Sequence, residues 1–90
     1  MNTIRYLIYG KVQGVAFRYH TKQEADRLGI QGLVKNLADG SVECCISAGQ
    51  KNLDKFEAFL QEGPRWANVS RVEKLESAVP LTNKGFIISY

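Results

Sequence analysis

The spacing of apolar and polar residues along the chain predicts five β-strands and two α-helices. In chain order, the predicted elements are a strand at residues 3–10, a helix at 17–28, strands at 30–38 and 42–48, a helix at 53–62, and strands near 69–75 and at 85–90. Asp39-Gly40 between the second and third strands is a strong hairpin signal. Residues 79–84 show little pattern and predict an irregular connection.

The first strand and the two helices carry the clearest patterns. Both alternating sets of residues 3–10 are largely apolar, which is typical of an interior strand of a sheet. Each helix presents one apolar face at helical spacing, formed by Phe17, Thr21, Ala25 and Leu28 in the first and by Leu53, Phe56, Phe59 and Leu60 in the second. Gly29 and Gly63-Pro64 follow the helices and predict where they end.

The order of the elements, β-α-β-β-α-β-β, predicts the fold class. Two β-α-β units of this kind form a ferredoxin-like split β-α-β sandwich, an α+β fold with both helices on one face of a mostly antiparallel sheet. The chain has 90 residues, of which 44% are hydrophobic. We therefore expect residues 1–90 to form a single domain with one modest core. Periodicity alone gives neither the strand order nor the edges of the sheet.

Composition and charge narrow the classes of partner. Twelve Lys and Arg against nine Asp and Glu give a net charge of +3. These charges are scattered, which fits an anionic small molecule at least as well as nucleic acid. No segment approaches the roughly 20 apolar residues of a membrane-spanning helix, and the first residues lack the pattern of a secretory signal. We expect a cytoplasmic protein with no membrane partner and, since no apolar face is left over, a monomer.

The two cysteines, Cys44 and Cys45, are adjacent in the third predicted strand. Neighbouring residues of a strand face opposite sides of the sheet, so the two thiols are poorly placed to bond each other. Two reduced thiols are typical of a cytoplasmic protein. With a lone histidine far along the chain, they also make a poor metal site.

The turn between the first strand and the first helix, residues 10–18, is the strongest candidate for a binding site. Gly10 and Gly14 permit positive φ angles and a close approach of backbone to ligand. Backbone amides at the start of a helix lack intrahelical partners and attract anions, and Arg18 adds a planar cation that suits a phosphoryl group. The turn predicts a small oxyanion cradle, best suited to phosphate. Taken alone, the same residues also fit a plain turn with an arginine on the shoulder of the helix.

The spacing of this turn excludes three known phosphate-binding designs. A Walker loop needs four residues between its glycines and then Lys and Ser or Thr, but three residues separate Gly10 from Gly14 and Val15 follows. The G-x-G-x-x-G dinucleotide fingerprint is absent. A thiol phosphatase loop would place its cysteine at Val12, six residues before Arg18. A covalent phosphocysteine is therefore excluded at this place.

Asn36, near the end of the second predicted strand, is the second candidate. In a split β-α-β unit the first helix returns the chain to a strand of the same sheet, so Asn36 can lie near the mouth of the turn at residues 10–18. A carboxamide both donates and accepts hydrogen bonds, and so can hold a water in one orientation. The alternative is an asparagine that only favours the following hairpin.

Taken together, these residues resemble the acylphosphatase family. The matching motifs are Gly10-x-Val12-Gln13-Gly14-Val15-x-Phe17-Arg18, Gly32-x-Val34-x-Asn36, Asp39-Gly40-Ser41-Val42-Glu43, Gly63-Pro64-x-x-Ala67-x-Val69-x-x-Val72 and Phe86-x-Ile88. They cover nearly the whole chain, and the run from Val12 to Arg18 followed by Asn36 is highly specific. Leu33 stands where members often carry an aromatic residue, and Trp66 where a small one is common.

The resemblance implies a fold, a reaction and a set of site residues. The implied fold is the ferredoxin-like sandwich with an added strand, and the implied reaction is hydrolysis of a carboxyl–phosphate anhydride, with inorganic phosphate as product and inhibitor. Arg18 would bind the phosphoryl group together with backbone amides of the loop formed by Gln13, Gly14, Val15, Ala16, Phe17 and Arg18. Asn36 would orient the attacking water. The family uses no metal or cofactor, and the implied partner is a small acyl phosphate and not nucleic acid.

The implied site contains only Arg18, Asn36 and backbone amides, and the chemistry of this reaction needs no further functional group. A carboxylate leaving group has a conjugate-acid pKa of about 4, so no general acid is needed. Phosphoryl transfer passes through a loose transition state, and catalysis is mostly positioning and charge stabilisation. The phosphoryl oxygens can themselves accept the proton of the water. A phosphate monoester, with its poorer leaving group, should be a bad substrate.

Three polar residues near these motifs have simpler interpretations. His20 lies two residues after Arg18 and would have to reach the water held by Asn36 to act as a base; it is more simply a helix residue that is exposed or partly packed. We interpret Asp39 and Glu43 as surface residues of the hairpin and the third strand.

Two other functions use the same fold. An RNA-binding sheet would need aromatic residues on its open face, for which only Tyr6 and Phe86 could be argued, and the RNP motif is absent. A regulatory domain that senses a small anion would bind phosphate through the same loop without turnover. Neither explains why Asn36 accompanies the loop.

Overall fold

A single five-stranded sheet carries two helices on one of its faces. The computed structural model describes residues 3–77 and 80–90. Its elements in chain order are β1 (Thr3–Lys11), α1 (Phe17–Leu28), β2 (Gly32–Asn36), β3 (Val42–Ser47), α2 (Leu53–Glu62), β4 (Asn68–Ser77) and β5 (Phe86–Ile88). The predicted order of elements and the ferredoxin-like α+β fold are confirmed, and both helices have the predicted bounds.

The strands lie in the order β4-β1-β3-β2-β5. β1 pairs antiparallel with β3 and with β4, and β3 pairs antiparallel with β2. β1 and β2 therefore run parallel with β3 between them, which is the geometry of a split β-α-β unit. β1 is an interior strand, as its two apolar faces predicted, and β5 extends the sheet by pairing parallel with β2.

The bounds of β2, β4 and β5 differ from the predicted ones. β2 does not include Ile30, because the amide of Ile30 donates to the carbonyl of Ala25 and so closes the end of α1. β4 extends beyond the predicted segment at both ends, and β5 is shorter than predicted. Residues 80–84 of the predicted connection form no helix or strand, and residue 79 lies outside the described residues.

The core fills the space between the sheet and the two helices. The ring of Tyr6 meets that of Phe56 edge-on at 6.5 Å between centroids, and Phe56 meets Phe86 in the same way at 6.1 Å. Tyr6 and Phe86 are only 1% and 3% exposed. The idea that these two rings could form an open stacking surface for RNA is therefore wrong, because both lie beneath the helices.

The opposite face of the sheet carries a buried carboxylate, which corrects a second expectation. Glu43 was expected at the surface of the strand, but it is buried. Its side chain accepts a hydrogen bond from Arg5 on β1 and lies 3.6 Å from the ammonium of Lys35 on β2. Two cations from neighbouring strands compensate the cost of removing this charge from water. Asp39 is exposed, as expected, and accepts hydrogen bonds from the amide and hydroxyl of Ser41 that lower its pKa.

The two cysteines face opposite sides of β3, as predicted. Cys44 is buried in the core and Cys45 is half-buried, and both are free thiols. Burial raises the pKa of both thiols, so they are held in the neutral form. Neither of the helices, whose residues are all described, has the length and apolar character needed to cross a membrane.

Candidate active site

The turn that leads from β1 into α1 has an unusual backbone. Gly10 adopts φ 122°, and a Cβ atom at this position would lie 2.1 Å from the carbonyl oxygen of Asn68 on β4. Only glycine fits here, where the pairing of β1 with β4 shifts register. Ala16, which precedes α1, has φ 58° and is a non-glycine residue in the left-handed region. Such strain persists only where the surrounding structure imposes it, and it is common at functional sites.

The amides at the start of α1 are free to bind a ligand. α1 has no side-chain N-cap and no acidic residue in its first turn. The first backbone bond into the helix joins the amide of His20 to the carbonyl of Ala16, at 3.1 Å. The amides of residues 14–19 donate to no acceptor within the described parts of the chain. Unpartnered donors at the positive end of a helix are able to bind an anion.

Arg18 lies at the edge of this row and is held from two sides. Its guanidinium donates to the carbonyl of Ser89 at 3.3 Å, and its Cζ lies 4.8 Å from the centre of the Tyr90 ring. The side chain is half-buried. A guanidinium fixed in this way loses little rotamer freedom when it binds an anion.

Arg18 and Asn36 meet in one cavity. Asn36 is the exposed last residue of β2. A cavity of about 270 Å³ lies between the turn, β2 and the end of β5, and its lining comprises Val12, Gly14, Ala16, Phe17, Arg18, Tyr19, Asn36, Ile88 and Tyr90. The residues predicted for phosphate and for water are thus brought together. Arg18 is the single cationic residue of this lining, which contains no Asp, Glu or His.

Two of the predicted binding residues turn their side chains elsewhere. The amide group of Gln13 donates to the carbonyls of Leu37 and Ser41, both at 2.8 Å, and so ties the turn to the hairpin after β2. Val15 packs partly buried against the core. Gln13 and Val15 do not line the cavity, whereas Gly14, Ala16, Phe17 and Arg18 do. The side chain of Gln13 holds the turn beside Asn36.

Sequence reasoning missed the aromatic and aliphatic part of the lining. Tyr19 directly follows Arg18 but was not assigned a role, and Ile88 and Tyr90 come from the far end of the sequence. The parallel pairing of β5 with β2 brings this end to the cavity. The order of strands at a sheet edge cannot be deduced from apolar periodicity. The motif Phe86-x-Ile88 therefore marked a strand without placing Ile88 at the cavity, and no sequence signal pointed to Tyr90.

His20 takes no part in this cavity. Its ring meets that of Tyr19 edge-on at 5.6 Å between centroids, and it lines a separate groove on the surface of α1 together with Arg27 and Phe59. This supports the simpler interpretation of His20 as a partly packed helix residue. No three His, Cys, Asp or Glu side chains cluster within residues 3–77 and 80–90.

Fold and cavity together define a small α+β protein with a candidate anion site at the start of its first helix. The sequence profile described as Acylphosphatase matches residues 4–88, and the chain belongs to the acylphosphatase family.

Individual relatives agree with this assignment. Over 65 residues the chain is 51% identical to the acylphosphatase of Geobacter sulfurreducens, covering 72% of this chain and 71% of the relative. It is 39% identical over 84 residues to the acylphosphatase of Vibrio cholerae, covering 93% and 92%. The crystal structure of acylphosphatase from Bacillus subtilis matches with a TM-score of 0.89 at 33% identity, and the match covers 100% of both chains. The resemblance noted from the motifs is confirmed.

Proposed function

We propose that this protein is an acylphosphatase, an enzyme that hydrolyses the carboxyl–phosphate anhydride of acyl phosphates to a carboxylate and inorganic phosphate. The observation that carries the proposal is the single cavity in which unpartnered helix-start amides, Arg18 and Asn36 meet, in a chain of the acylphosphatase family. The amides and the guanidinium supply donors for a phosphoryl group, and the carboxamide lies beside them.

The phosphoryl group binds to the amides of residues 13–18 and to Arg18. Its oxygens accept hydrogen bonds from amides that have no protein acceptor among the described residues. The charge that spreads over these oxygens in the transition state is stabilised by donors that are already in place. Inorganic phosphate presents the same oxygens and is therefore a product inhibitor.

Asn36 orients the attacking water. Its carboxamide oxygen accepts a hydrogen bond from the water while the water oxygen faces the phosphorus atom. The water oxygen forms a bond to phosphorus, and the bond between phosphorus and the acyl oxygen breaks. The carboxylate leaves with the electron pair of that bond, and the proton of the water passes to a phosphoryl oxygen.

The leaving group explains why this cavity suffices for the reaction. A carboxylate is a weak base with a conjugate-acid pKa of about 4, so it departs without being protonated. The cavity lining, all of it among the described residues, offers no carboxylic acid or imidazole for that task. An alkoxide leaving group would need such an acid. We therefore expect acyl phosphates to be hydrolysed and alkyl phosphate monoesters to be left nearly intact.

The finer features of the proposal concern the whole protein. We propose that residues 1–90 act as one domain and as a monomer in the cytoplasm, with neither nucleic acid nor membrane as partner. The free thiols of Cys44 and Cys45 support a reducing compartment. The burial of Tyr6 and Phe86 supports the absence of an RNA-stacking surface.

The test is an assay of acyl phosphate hydrolysis in the presence of a chelator. Purified protein is incubated with benzoyl phosphate and EDTA, and with glycerol 2-phosphate as an alkyl monoester control. We expect turnover of benzoyl phosphate that phosphate inhibits and that EDTA leaves unchanged, and little turnover of the monoester. Binding of phosphate without turnover of benzoyl phosphate would instead identify an anion-sensing domain and end the proposal.

A further inference from the structure

The cavity lining extends beyond the amides of the turn, Arg18 and Asn36. Tyr19, Ile88 and Tyr90 contribute aromatic and aliphatic groups to it. Tyr19 is 56% exposed and Tyr90 is 97% exposed. A ligand that covers large exposed rings beside a binding site removes apolar surface from water, which favours its binding.

The ring of Tyr19 is held in place although it is exposed. Its hydroxyl accepts a hydrogen bond of 3.2 Å from the side-chain amide of Gln23, one turn further along α1. Its edge contacts the ring of His20. A ring fixed by two neighbours of its own helix loses little freedom when a flat group packs against it, so its contact area is available at low entropic cost.

The cavity offers no second cation. Arg18 is the single Lys or Arg of the lining, and the phosphoryl group uses its charge. The nearest charges along α1 are paired elsewhere, since Lys22 binds Asp26 and Arg27 binds Glu24. A second anionic group on the acyl chain would therefore lie beside rings without a positive partner in the cavity.

The size of the cavity limits the group that can fit. Its volume of about 270 Å³ lies just below the range of roughly 300–1,000 Å³ that is usual for small-molecule pockets. It suits a phosphoryl group together with one further group about the size of a ring. Substrates with long or branched acyl chains would extend into solvent.

We propose that Tyr19, Ile88 and Tyr90 form an acyl-group subsite that selects acyl phosphates with a single flat, apolar acyl group, above all an aromatic one, and disfavours those whose acyl group carries a second negative charge. This inference rests on the proposed acylphosphatase activity and adds the chemical class of substrate to it. Tyr19 is the specificity-determining residue, because its ring is both exposed and fixed.

The experiment compares three substrates on four proteins. The substrates are benzoyl phosphate, acetyl phosphate and succinyl phosphate, which carry an aromatic, a small neutral and an anionic acyl group. The proteins are the native chain, Tyr19→Ala, Tyr19→Phe and Trp66→Ala. Trp66 is a matched control, since it is 67% exposed, packs against Arg65 and lies outside the cavity lining.

The expected result is a change of preference and not a general loss. The native chain should show a higher kcat/KM for benzoyl phosphate than for acetyl phosphate, with succinyl phosphate the poorest. Tyr19→Ala should lower kcat/KM for benzoyl phosphate about 5–10-fold, the effect of losing one aromatic contact. It should leave acetyl phosphate and the inhibition constant of phosphate within about 2-fold. Tyr19→Phe should retain the preference, and Trp66→Ala should match the native chain.

The other outcomes show which proposal is wrong, the acylphosphatase activity or the acyl-group subsite. If the native chain hydrolyses none of the three substrates, the proposed activity itself is wrong. If it hydrolyses all three and Tyr19→Ala changes them equally, or succinyl phosphate is the best substrate, the activity stands and the acyl-group subsite is wrong. Retention of the phosphate inhibition constant shows that Tyr19→Ala is folded with an intact phosphate site.

Discussion

At the scale of single residues, Arg18 shows how a flexible side chain is made into a fixed binding group. The carbonyl of Ser89 and the ring of Tyr90 hold its guanidinium. The amides of residues 14–19 are fixed by the backbone itself. Both sets of donors are therefore positioned by contacts within the protein itself, which is the condition for electrostatic stabilisation of a transition state.

Replacing Arg18 should remove most of the activity. Loss of one fixed donor typically lowers the rate about 10²–10³-fold, and loss of a charged donor should cost at least as much. We expect Arg18→Ala to lower kcat/KM for benzoyl phosphate by at least this factor and to weaken inhibition by phosphate strongly. Circular dichroism provides the control for folding. A folded Arg18→Ala protein with a normal inhibition constant for phosphate would contradict the role of Arg18.

Replacing Asn36 should separate catalysis from binding. Asn36 is assigned to the water and not to the phosphoryl group, so Asn36→Ala should reduce kcat by about 10²-fold and change the phosphate inhibition constant by less than about 3-fold. Steady-state kinetics with phosphate as a competing ligand measures both quantities. The assignment fails if phosphate affinity collapses while kcat is nearly unchanged.

At the scale of secondary-structure elements, the site depends on how β1 is joined to its neighbours. Gly10 lies against the backbone of β4, and Gln13 binds two carbonyls of the hairpin between β2 and β3. The turn that carries the amides is thus fixed at both of its sides. Its position relative to Asn36 is a property of the sheet and not of the turn alone.

A side chain at Gly10 should destabilise the whole fold. A Cβ atom there would meet the carbonyl oxygen of Asn68 at 2.1 Å, and φ 122° is closed to other residues. We expect Gly10→Ala to lower the free energy of unfolding by about 3 kcal/mol or more. Gly29→Ala is the control: φ is also positive there but nothing lies within 4 Å, so about 1 kcal/mol is expected. Urea denaturation measures both, and equal losses would show that the contact with Asn68 is unimportant.

Elements with a strong local pattern were predictable, and those set by distant contacts were not. Both helices have the predicted bounds because their apolar faces and terminal glycines are local signals. Arg18 and Asn36 were found because each lies next to a recognisable turn. Glu43 was misjudged because its burial depends on Arg5 and Lys35 from two other strands. Ile88 and Tyr90 were missed because only the parallel pairing of β5 with β2 brings them to the site.

At the scale of the whole molecule, one polar cluster links the core to the exterior. The hydroxyl of the buried Tyr6 donates to the carboxylate of Glu57 at 2.5 Å, and the ammonium of Lys74 lies 2.7 Å from the same carboxylate. Burial, followed by the nearby carboxylate, raises the pKa of Tyr6 strongly. The pKa of Glu57 is lowered, because the hydrogen bonds from Lys74 and Tyr6 outweigh the opposing effect of its burial.

This cluster predicts how stability depends on pH. The pKa of Tyr6 is raised in the folded state. Its contribution to the free energy of unfolding is therefore complete below about pH 10, the usual pKa of tyrosine. Above this pH the contribution is lost, because the tyrosine of the unfolded chain ionises while that of the folded chain does not. The pKa of Glu57 is lowered, so its contribution is present above about pH 4.3 and is lost as the pH falls further.

Denaturant midpoints at pH 7, 9 and 11 test the alkaline part of this prediction. The native chain should lose stability between pH 9 and 11, and Tyr6→Phe should lose markedly less over the same interval, because it has no hydroxyl to ionise at this position. Tyr90→Phe, whose tyrosine is 97% exposed, is the matched control and should behave as the native chain does. Identical alkaline losses in all three proteins would exclude Tyr6 as the source.

The contact between Arg18 and Ser89 joins residues 71 positions apart in the sequence. Such a distant pair forms only after the intervening chain has been ordered, whereas the first turn of α1 needs only its immediate neighbours. During synthesis on a ribosome, the turn at residues 10–18 emerges long before Ser89, which holds Arg18. The amides of the turn can therefore form before the contact that fixes Arg18, and full ordering of this arginine requires β5 to have paired with β2.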